Sequence, residues 1–540
     1  MFQVLKNVPS LKILFLRKKT FITSPIYYVN ASPHIGHVYS TVIADAAFRY
    51  DKLKNPSTNN NDFIFITGTD EHGQKVQKAA NNANKSPKEF CDDISKNFRD
   101  IFDNLNIKYT HFARTTDKSH IKCVQNMWEI LYSKGYIYKS KYSGYYSYVD
   151  EAFYKEKDVE EVEKNNKITL VSKETKNEVQ YLEEENYMFK LEDLYPKIKK
   201  WIIENDVIRP KHYINQILMY MNEVEDLSIS RDIKRMSWGI PVPNDPSQTI
   251  YVWMDALMNY MSAVGQPNDH LIQWPPSWQI IGKDIMKFHA IYWPAFLLAA
   301  DMELPKKLFV HGHWTIDNVK MSKSLGNVVN PFEISNVLSP DGLRYFLLKQ
   351  GVPDSDNNYS NIKAINLVNS DLVNNIGNLL SRSTVKRLNP EQLYFPENYS
   401  SLDPKILDEA QDIVEELKVL SQKVNEHYEN LIFYKGLEEI MSVCKKVNTF
   451  FHNTQPWKKS SGNELSSILY ITYETLRVIG LLMQPITPNY SSNLLNQLGI
   501  PENKRTLNYA NFSLDQFTRT SLSKTQKPLL KRIDIIEKKP

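Results

Sequence analysis

A chain of 540 residues is too long for a single hydrophobic core, so roughly two to four domains are expected. Its 42% hydrophobic and 24% charged fractions are those of an ordinary soluble protein, and a net charge of +4 leaves any nucleic-acid partner to be held by local basic patches. Cys91, Cys123 and Cys444 are widely separated with no CxxC pair, which argues against a zinc knuckle and a secreted disulfide scaffold. No uninterrupted apolar run approaches the ~18 residues of a membrane helix, so a membrane span is not expected.

The leader differs from the rest. Lys6, Lys12, Arg17, Lys18 and Lys19 precede the first acidic residue, Asp45, and lie among Phe2, Leu5, Leu11, Ile13, Leu14, Phe15 and Leu16. A basic, acid-free, partly apolar stretch over residues 1–20 reads as a mitochondrial presequence, with the mitochondrial matrix as destination. A disordered basic tail has the same composition. Lys12 cuts the apolar run too short for a secretory signal.

Residues 21–28 read as a buried strand, followed by a loop over 30–33 and a helix over 34–53. Residues 63–67 form a second strand that runs into Thr69-Asp70-Glu71-His72-Gly73. Ser86 as N-cap, Pro87 at the first helical position, and Phe90, Ile94, Phe98 and Phe102 spaced by four signal a helix. This alternation predicts an α/β fold with a parallel sheet and ligands at the carboxyl ends of its strands. Residues 135–243 break the pattern with crowded tyrosines over 136–148 and a charged stretch over 155–176, so a domain inserted into the sheet is expected. Strands resume at 250–253, 278–281 and 308–310, which makes 21–134 and 244–360 one catalytic unit. Over 362–382, 407–428, 437–451 and 465–482 apolar residues fall at helical spacing, and residues 361–540 read as all-α.

Two short segments carry chemistry-bearing residues with no evident place in a core: Pro33-His34-Ile35-Gly36-His37, and Lys320-Met321-Ser322-Lys323-Ser324. His34 and His37 fall at a strand end and helix start, where backbone N–H groups and the helix dipole favour phosphate oxygens. Gly36 leaves room for a nucleotide to lie against the backbone. Imidazoles add hydrogen bonds as charge builds in a transition state. Lys320 and Lys323, in a polar loop, suit an α-phosphate and a leaving pyrophosphate. Taken singly, the histidines are as readily capping or core residues and the lysines a solvated loop. Together they point to ATP split at its α-phosphate. His311-Gly312-His313 offers two metal-type ligands without a supporting Cys or carboxylate set, and reads as a structural strand end.

In this order the two segments resemble the signature pair of class I aminoacyl-tRNA synthetases. Residues 22–30, Thr67-Gly68-Thr69-Asp70-Glu71-His72-Gly73, Trp238-Gly239-Ile240-Pro241, Tyr251-Val252-Trp253-Met254-Asp255-Ala256-Leu257 and Ile281-Gly282-Lys283-Asp284-Ile285 narrow the resemblance to the methionyl-tRNA synthetases. It covers nearly the whole chain from about residue 21. The fold it implies is a Rossmann-type parallel-sheet catalytic domain with an inserted connective domain at 135–243, then an all-α helical-bundle anticodon-binding domain at 361–540.

By this resemblance His34, His37, Lys320 and Lys323 are catalytic, and Gly36, Gly282 and Asp284 complete the ATP site. Asp70 binds the methionine α-amino group. Ile26, Tyr28, Trp253, Ala256, Leu257, Tyr260, Ile285 and His289 line the side-chain pocket, with aromatic–sulfur contacts worth roughly 0.3–1.5 kcal/mol and Tyr28 and His289 as polar tips near the sulfur. Trp253 and Tyr260 are equally compatible with plain core aromatics. Mg²⁺ travels with ATP. Methionine carboxylate attacks the α-phosphate, and the ester then passes to tRNA(Met), initiator and elongator alike, without a protein nucleophile. Asn374, Asn378 and Arg382 share a helix face and, with Pro456 and Trp457, read the anticodon by edge hydrogen bonds and stacking; a plain bundle with a polar face is the alternative. Residues 144–151 lack the family's cysteines, so no structural zinc and a tyrosine-packed insertion are expected. Residues 527–533 resemble the segment that ends the anticodon domain, and a monomer is expected. A leucine or isoleucine enzyme would bring a larger editing insertion, and a catalytically dead RNA-binding paralogue would not need the intact histidines and lysines.

Overall fold

The computed structural model describes residues 20–56, 62–148, 152–164, 167–173, 175–221, 225–265, 274–321, 326–395, 401–512, 520–523 and 527–534. Most of the expected presequence therefore lies outside the described residues; Thr20, its last residue, is buried and already opens the first strand.

Six parallel strands form the central sheet: β1 (Thr20–Tyr28), β2 (Phe63–Asp70), β3 (His111–Arg114), β4 (Ile208–Arg209), β5 (Trp278–Gly282) and β6 (Leu308–His311). Their spatial order is β3-β2-β1-β5-β6-β4. Both faces of such a sheet are covered, which is why β2 is buried at every position and reads as a continuous apolar run before its polar end. Between β1 and β5 the order reverses direction, and the carboxyl ends of these two strands open the crevice where parallel sheets bind ligands. From β1 the chain enters α1 (Ile35–Lys54). It later forms α2 (Pro87–Asn104), started by the expected Ser86–Glu89 capping box with Pro87 in the first turn, and α3 (Lys118–Ser133).

Strand β4 departs from the expected organisation: it lies inside 135–243 yet pairs with β6 at the sheet edge. The rest of that span is largely an antiparallel ribbon of Ile137–Ser147 against Gln180–Phe189, flanked by Ala152–Tyr154 and Leu227–Ser228. Rings pack it: Tyr145 meets Tyr181 edge-on at 5.4 Å, Arg231 lies 4.5 Å over Tyr251, and Arg235 lies 4.7 Å over Tyr146.

The strand expected at 250–253 is a second departure. Asp245–Ile250 belongs to a separate three-stranded antiparallel sheet, and Tyr251 caps α4 (Val252–Leu257). A four-residue apolar run has no decisive period, and Asp255 in the first turn favours the helix.

The C-terminal part is helical, with α5 (Pro340–Gln350), α6 (Gln411–Tyr428), α7 (Phe433–Thr454), α8 (Asn463–Met483) and α9 (Pro488–Gln497). The helix expected over 362–382 is three pieces, Asn361–Val368, a π-helical Asn369–Gly377 and Asn378–Ser383. One hydrophobic core runs from α1 and β1 into these helices, and a second covers the other face of the sheet together with the inserted ribbon. Helix α8 is long and apolar enough to cross a membrane by length and composition, although polar residues interrupt its apolar run. It is buried on all sides within the bundle and carries the buried Glu474–Arg477 pair, as befits a core helix.

Candidate active site

At the carboxyl ends of β1, β2, β5 and β6 lies one cavity of about 360 Å³. Its wall includes His34, Gly36, His37, Gly282, Asp284 and Lys320 at one end, and Ile26, Tyr28, Asp70, Trp253, Ala256, Leu257, Tyr260, Ile285 and His289 at the other. The structure thus gathers the expected ATP and methionine residues around one space. Lys323 lies outside the described residues.

The phosphate-type end is built by the start of α1. His34 is its N-cap: Nδ1 accepts the Gly36 N–H at 3.1 Å, and the His34 N–H is donated to His37 Nδ1 at 3.3 Å. With both Nδ1 atoms accepting, the neutral form of each ring carries its proton on Nε2. The two rings stack at 3.8 Å, and His37 leans on Tyr27 and Phe98. A Cβ at Gly36 would stand 2.8 Å from His34 Cε1. A side chain there would push the His34 ring out of its capping position, a reason for glycine besides the nucleotide approach expected from sequence.

Asp284 follows the end of β5, and a Cβ on Gly282 would approach its Oδ1 to 2.7 Å. Its Oδ1 lies 3.1 Å from His313 Nε2 and its Oδ2 3.3 Å from Lys320 Nζ. Burial works to raise the Asp284 carboxyl, but the charges of His313 and Lys320 beside it hold it well below the usual carboxylate range.

The apolar end rests on α4 and the helical turn at Phe288–Tyr292. Trp253 stacks on Phe288 at 3.5 Å. His289 is buried; Nδ1 donates to the Ile285 carbonyl at 2.9 Å, so Nε2 accepts the Tyr260 hydroxyl proton at 2.7 Å. Both of its nitrogens are engaged within the protein, so His289 orients Tyr260 and does not offer the spare polar tip expected from sequence. Burial pushes His289 and His311 down to about 4. Both are neutral when folded, so the unfolded chain binds more protons below the ordinary value near 6.5, and stability present above that pH is lost as pH falls toward 4. Urea unfolding at pH 7 and pH 5 is expected to show a loss of roughly 2 kcal/mol per histidine, and His289→Gln to remove one share. An unchanged pH slope in that variant would refute the assignment.

A buried carboxylate beneath this pocket was missed by sequence reasoning. Asp255 on α4 accepts from His72 Nδ1 at 2.6 Å and from His120 Nε2 at 2.7 Å, and His120 is held in turn by Ser262 at 2.8 Å. The cluster ties the loop after Asp70 to α3 and α4. Beside it, Glu71 takes Arg114 in a bidentate pair at 2.7 and 3.0 Å, and Trp238 donates to the Glu71 carbonyl at 2.6 Å. These bonds fix the turn that presents Asp70.

In the helical part, Asn374 and Asn378 are exposed on one face. Arg382 lies 5.5 Å over the Trp457 ring, and Trp457 is 38% exposed although Pro456 beside it is buried. The C-terminal segment docks nearby: Asn369 exchanges two hydrogen bonds with the Ile533 backbone, at 2.8 and 2.9 Å.

A nucleotide-sized cavity at the switch point of a Rossmann-type sheet, with histidines at one helix start and a lysine across from them, defines the class. The chain belongs to the class I tRNA synthetases: the family profile "tRNA synthetases class I (M)" matches residues 20–384, and "Anticodon-binding domain of tRNA ligase" matches 410–537. Within that class it is 42% identical over 507 residues to the mitochondrial methionine–tRNA ligase of Homo sapiens, covering 91% of this chain and 85% of that one. It is 42% identical over 517 residues to the probable mitochondrial methionine–tRNA ligase of Dictyostelium discoideum, covering 92% and 88%. Among solved structures, the Mycobacterium tuberculosis methionyl-tRNA synthetase in complex with methionyl-adenylate superposes with a TM-score of 0.87 at 32% identity, covering 95% of this chain and 99% of that one.

Proposed function

We propose that this chain is a mitochondrial methionine–tRNA ligase, working as a monomer in the matrix on initiator and elongator tRNA(Met). The observation that carries the reading is the single cavity that joins a phosphate-binding helix start to an aromatic pocket edged by a carboxylate. ATP enters with Mg²⁺ bound to its phosphates. His34 and His37 donate from Nε2 to phosphate oxygens, Lys320 and Lys323 meet the α-phosphate and the departing pyrophosphate, and Gly36, Gly282 and Asp284 shape the nucleotide's seat.

Asp70 pairs with the methionine ammonium group. Trp253, Tyr260, Ile26, Tyr28, Ala256, Leu257 and Ile285 enclose the thioether chain, and His289 acts through Tyr260. Methionine carboxylate oxygen forms the new bond to the α-phosphorus, the bond to the bridging oxygen breaks, and pyrophosphate leaves. A hydroxyl of the tRNA 3′-terminal ribose then attacks the methionyl carbonyl, and AMP leaves. Catalysis is positioning plus electrostatic stabilisation, because no step needs a protein nucleophile. The helical part from residue 361 onward takes the anticodon, with Trp457 stacking on an unpaired base and Asn374, Asn378 and Arg382 reading base edges. The family matches and the basic leader support the compartment.

Amino-acid-dependent ATP–pyrophosphate exchange across the twenty amino acids tests this directly. Exchange with methionine is expected; exchange with leucine or isoleucine, or none with any, would overturn the reading. Trp457→Ala is expected to leave exchange intact and to lower aminoacylation of tRNA(Met) by ten- to a hundredfold, since stacking on one base is worth about 1–3 kcal/mol. Equal loss in both assays would refute the anticodon role.

A further inference from the structure

His311 and His313 flank Gly312 at the end of β6, and the activation chemistry above gives neither a part. His311 is a fixture: Nδ1 donates to the Gly312 carbonyl at 2.8 Å and Nε2 accepts the Ser40 hydroxyl at 2.7 Å, which binds β6 to α1. His313 is different. Its ring faces the cavity and meets Asp284 on the oxygen opposite the one that Lys320 holds.

The mount of His313 is rigid. A Cβ at Gly312 would fall 2.1 Å from the Ser355 carbonyl oxygen, so the chain is pressed against its neighbour there. The His313 N–H is donated to Asp356 Oδ1 at 2.8 Å, and its carbonyl accepts from Asn357 at 2.8 Å. Asp356 is in turn pinned by Lys283 at 2.7 Å. Lys320, by contrast, is 61% exposed. An exposed ion pair of that kind is worth little, so a polyphosphate entering the cavity competes for the lysine easily.

Resting on the activation reading, we propose that His313 is a positioning residue for ATP: it keeps Asp284 in place when Lys320 leaves that carboxylate for the phosphates. With Oδ1 drawn at 3.1 Å to an imidazole whose backbone is held on both sides, Asp284 is restrained from following the lysine toward the incoming phosphates. Its vacated Oδ2 is presented as an acceptor to a donor on the nucleotide.

Methionine-dependent exchange with ATP and methionine varied separately tests the proposal. His313→Phe keeps a ring without a charged or polar nitrogen and is expected to raise KM for ATP about tenfold, the size of one partly buried close ionic contact, with KM for methionine unchanged. His313→Gln retains a donor and is expected to recover most of that loss. His313→Asn, too short to reach Asp284, should behave as the phenylalanine variant does and stands in for it if that variant does not fold. In an Asp284→Asn background His313→Phe is expected to add no further loss. An unchanged KM for ATP, an equal rise in both KM values, a glutamine variant as poor as phenylalanine, or an additive loss in the Asp284→Asn background would overturn the proposal while leaving the activation reading intact. No methionine-dependent exchange by the unsubstituted protein would overturn both.

Discussion

Replacing His37 with alanine is expected to lower the rate of methionine-dependent pyrophosphate exchange by roughly 10²–10³-fold, the usual effect of removing one preorganised donor to a developing oxyanion. His37 Nδ1 is occupied by the His34 N–H, so the proton on Nε2 is directed away from the helix start. Its ring is confined by His34 on one face and by Tyr27 and Phe98 on the other side. Such a donor needs no reorganisation when negative charge builds on the phosphate. The same substitution removes one bond of the capping box and weakens α1 by about 1 kcal/mol. His37→Asn separates the two effects, because its carbonyl oxygen can replace the cap acceptor without replacing the donor. The KM for methionine should stay within about twofold, since ground-state binding of the amino acid does not use this ring. A loss below tenfold, or a loss expressed mainly as methionine KM, would refute the role.

The largest effect on stability is expected at Arg344, on α5. Its guanidinium is fully buried; Nη1 pairs with Asp45 of α1 at 2.7 Å, while Nε and Nη2 donate to the Ile486 and Pro485 carbonyls, each at 2.8 Å. Those carbonyls lie between α8 and α9, so one side chain joins α1, the helix capped by His34, to the helical bundle. Arg344→Leu leaves Asp45 with Arg49 as its remaining charged partner and takes this donor from three buried carbonyl oxygens, those of Ile486, Pro485 and Leu105. A loss of about 3–5 kcal/mol in urea unfolding is expected. Asp45→Asn combined with Arg344→Leu should recover part of it, because the uncompensated charge is gone. A single-variant loss under 1 kcal/mol would show that the junction does not depend on this arginine.

The sites differ in how far they were legible before the fold was known. His34, Gly36 and His37 lie within four residues on one helix start, so their mutual geometry follows from local backbone, although the contact between Gly36 and the His34 ring emerged only with the structure. The strand expected at 250–253 became a cap and helix because four apolar residues have no readable period. His72, His120 and Asp255 come from a loop and two helices, and a lone buried histidine on α3 carries no linear signature of its partner. His313 meets Asp284 only because β5 and β6 are parallel neighbours with Gly282 opposite His311. That both nitrogens of His289 are engaged could not be read from the sequence, since its two hydrogen bonds depend on the Phe288–Tyr292 turn and on Tyr260.

By itself the amino-acid order determined the α/β class, the helical C-terminal part and the capped start of α1, and it carried the family resemblance from which the amino-acid and anticodon residues are proposed. These are properties of contiguous stretches, whose periodicity and capping chemistry act over a few residues. Only the tertiary structure decided which charges pair, which imidazole nitrogens are donors, how β4 returns to the sheet and how Arg344 joins α1 to the helical bundle. Those features depend on strand order, register and burial, which bring residues together across hundreds of positions and leave no local trace in the chain.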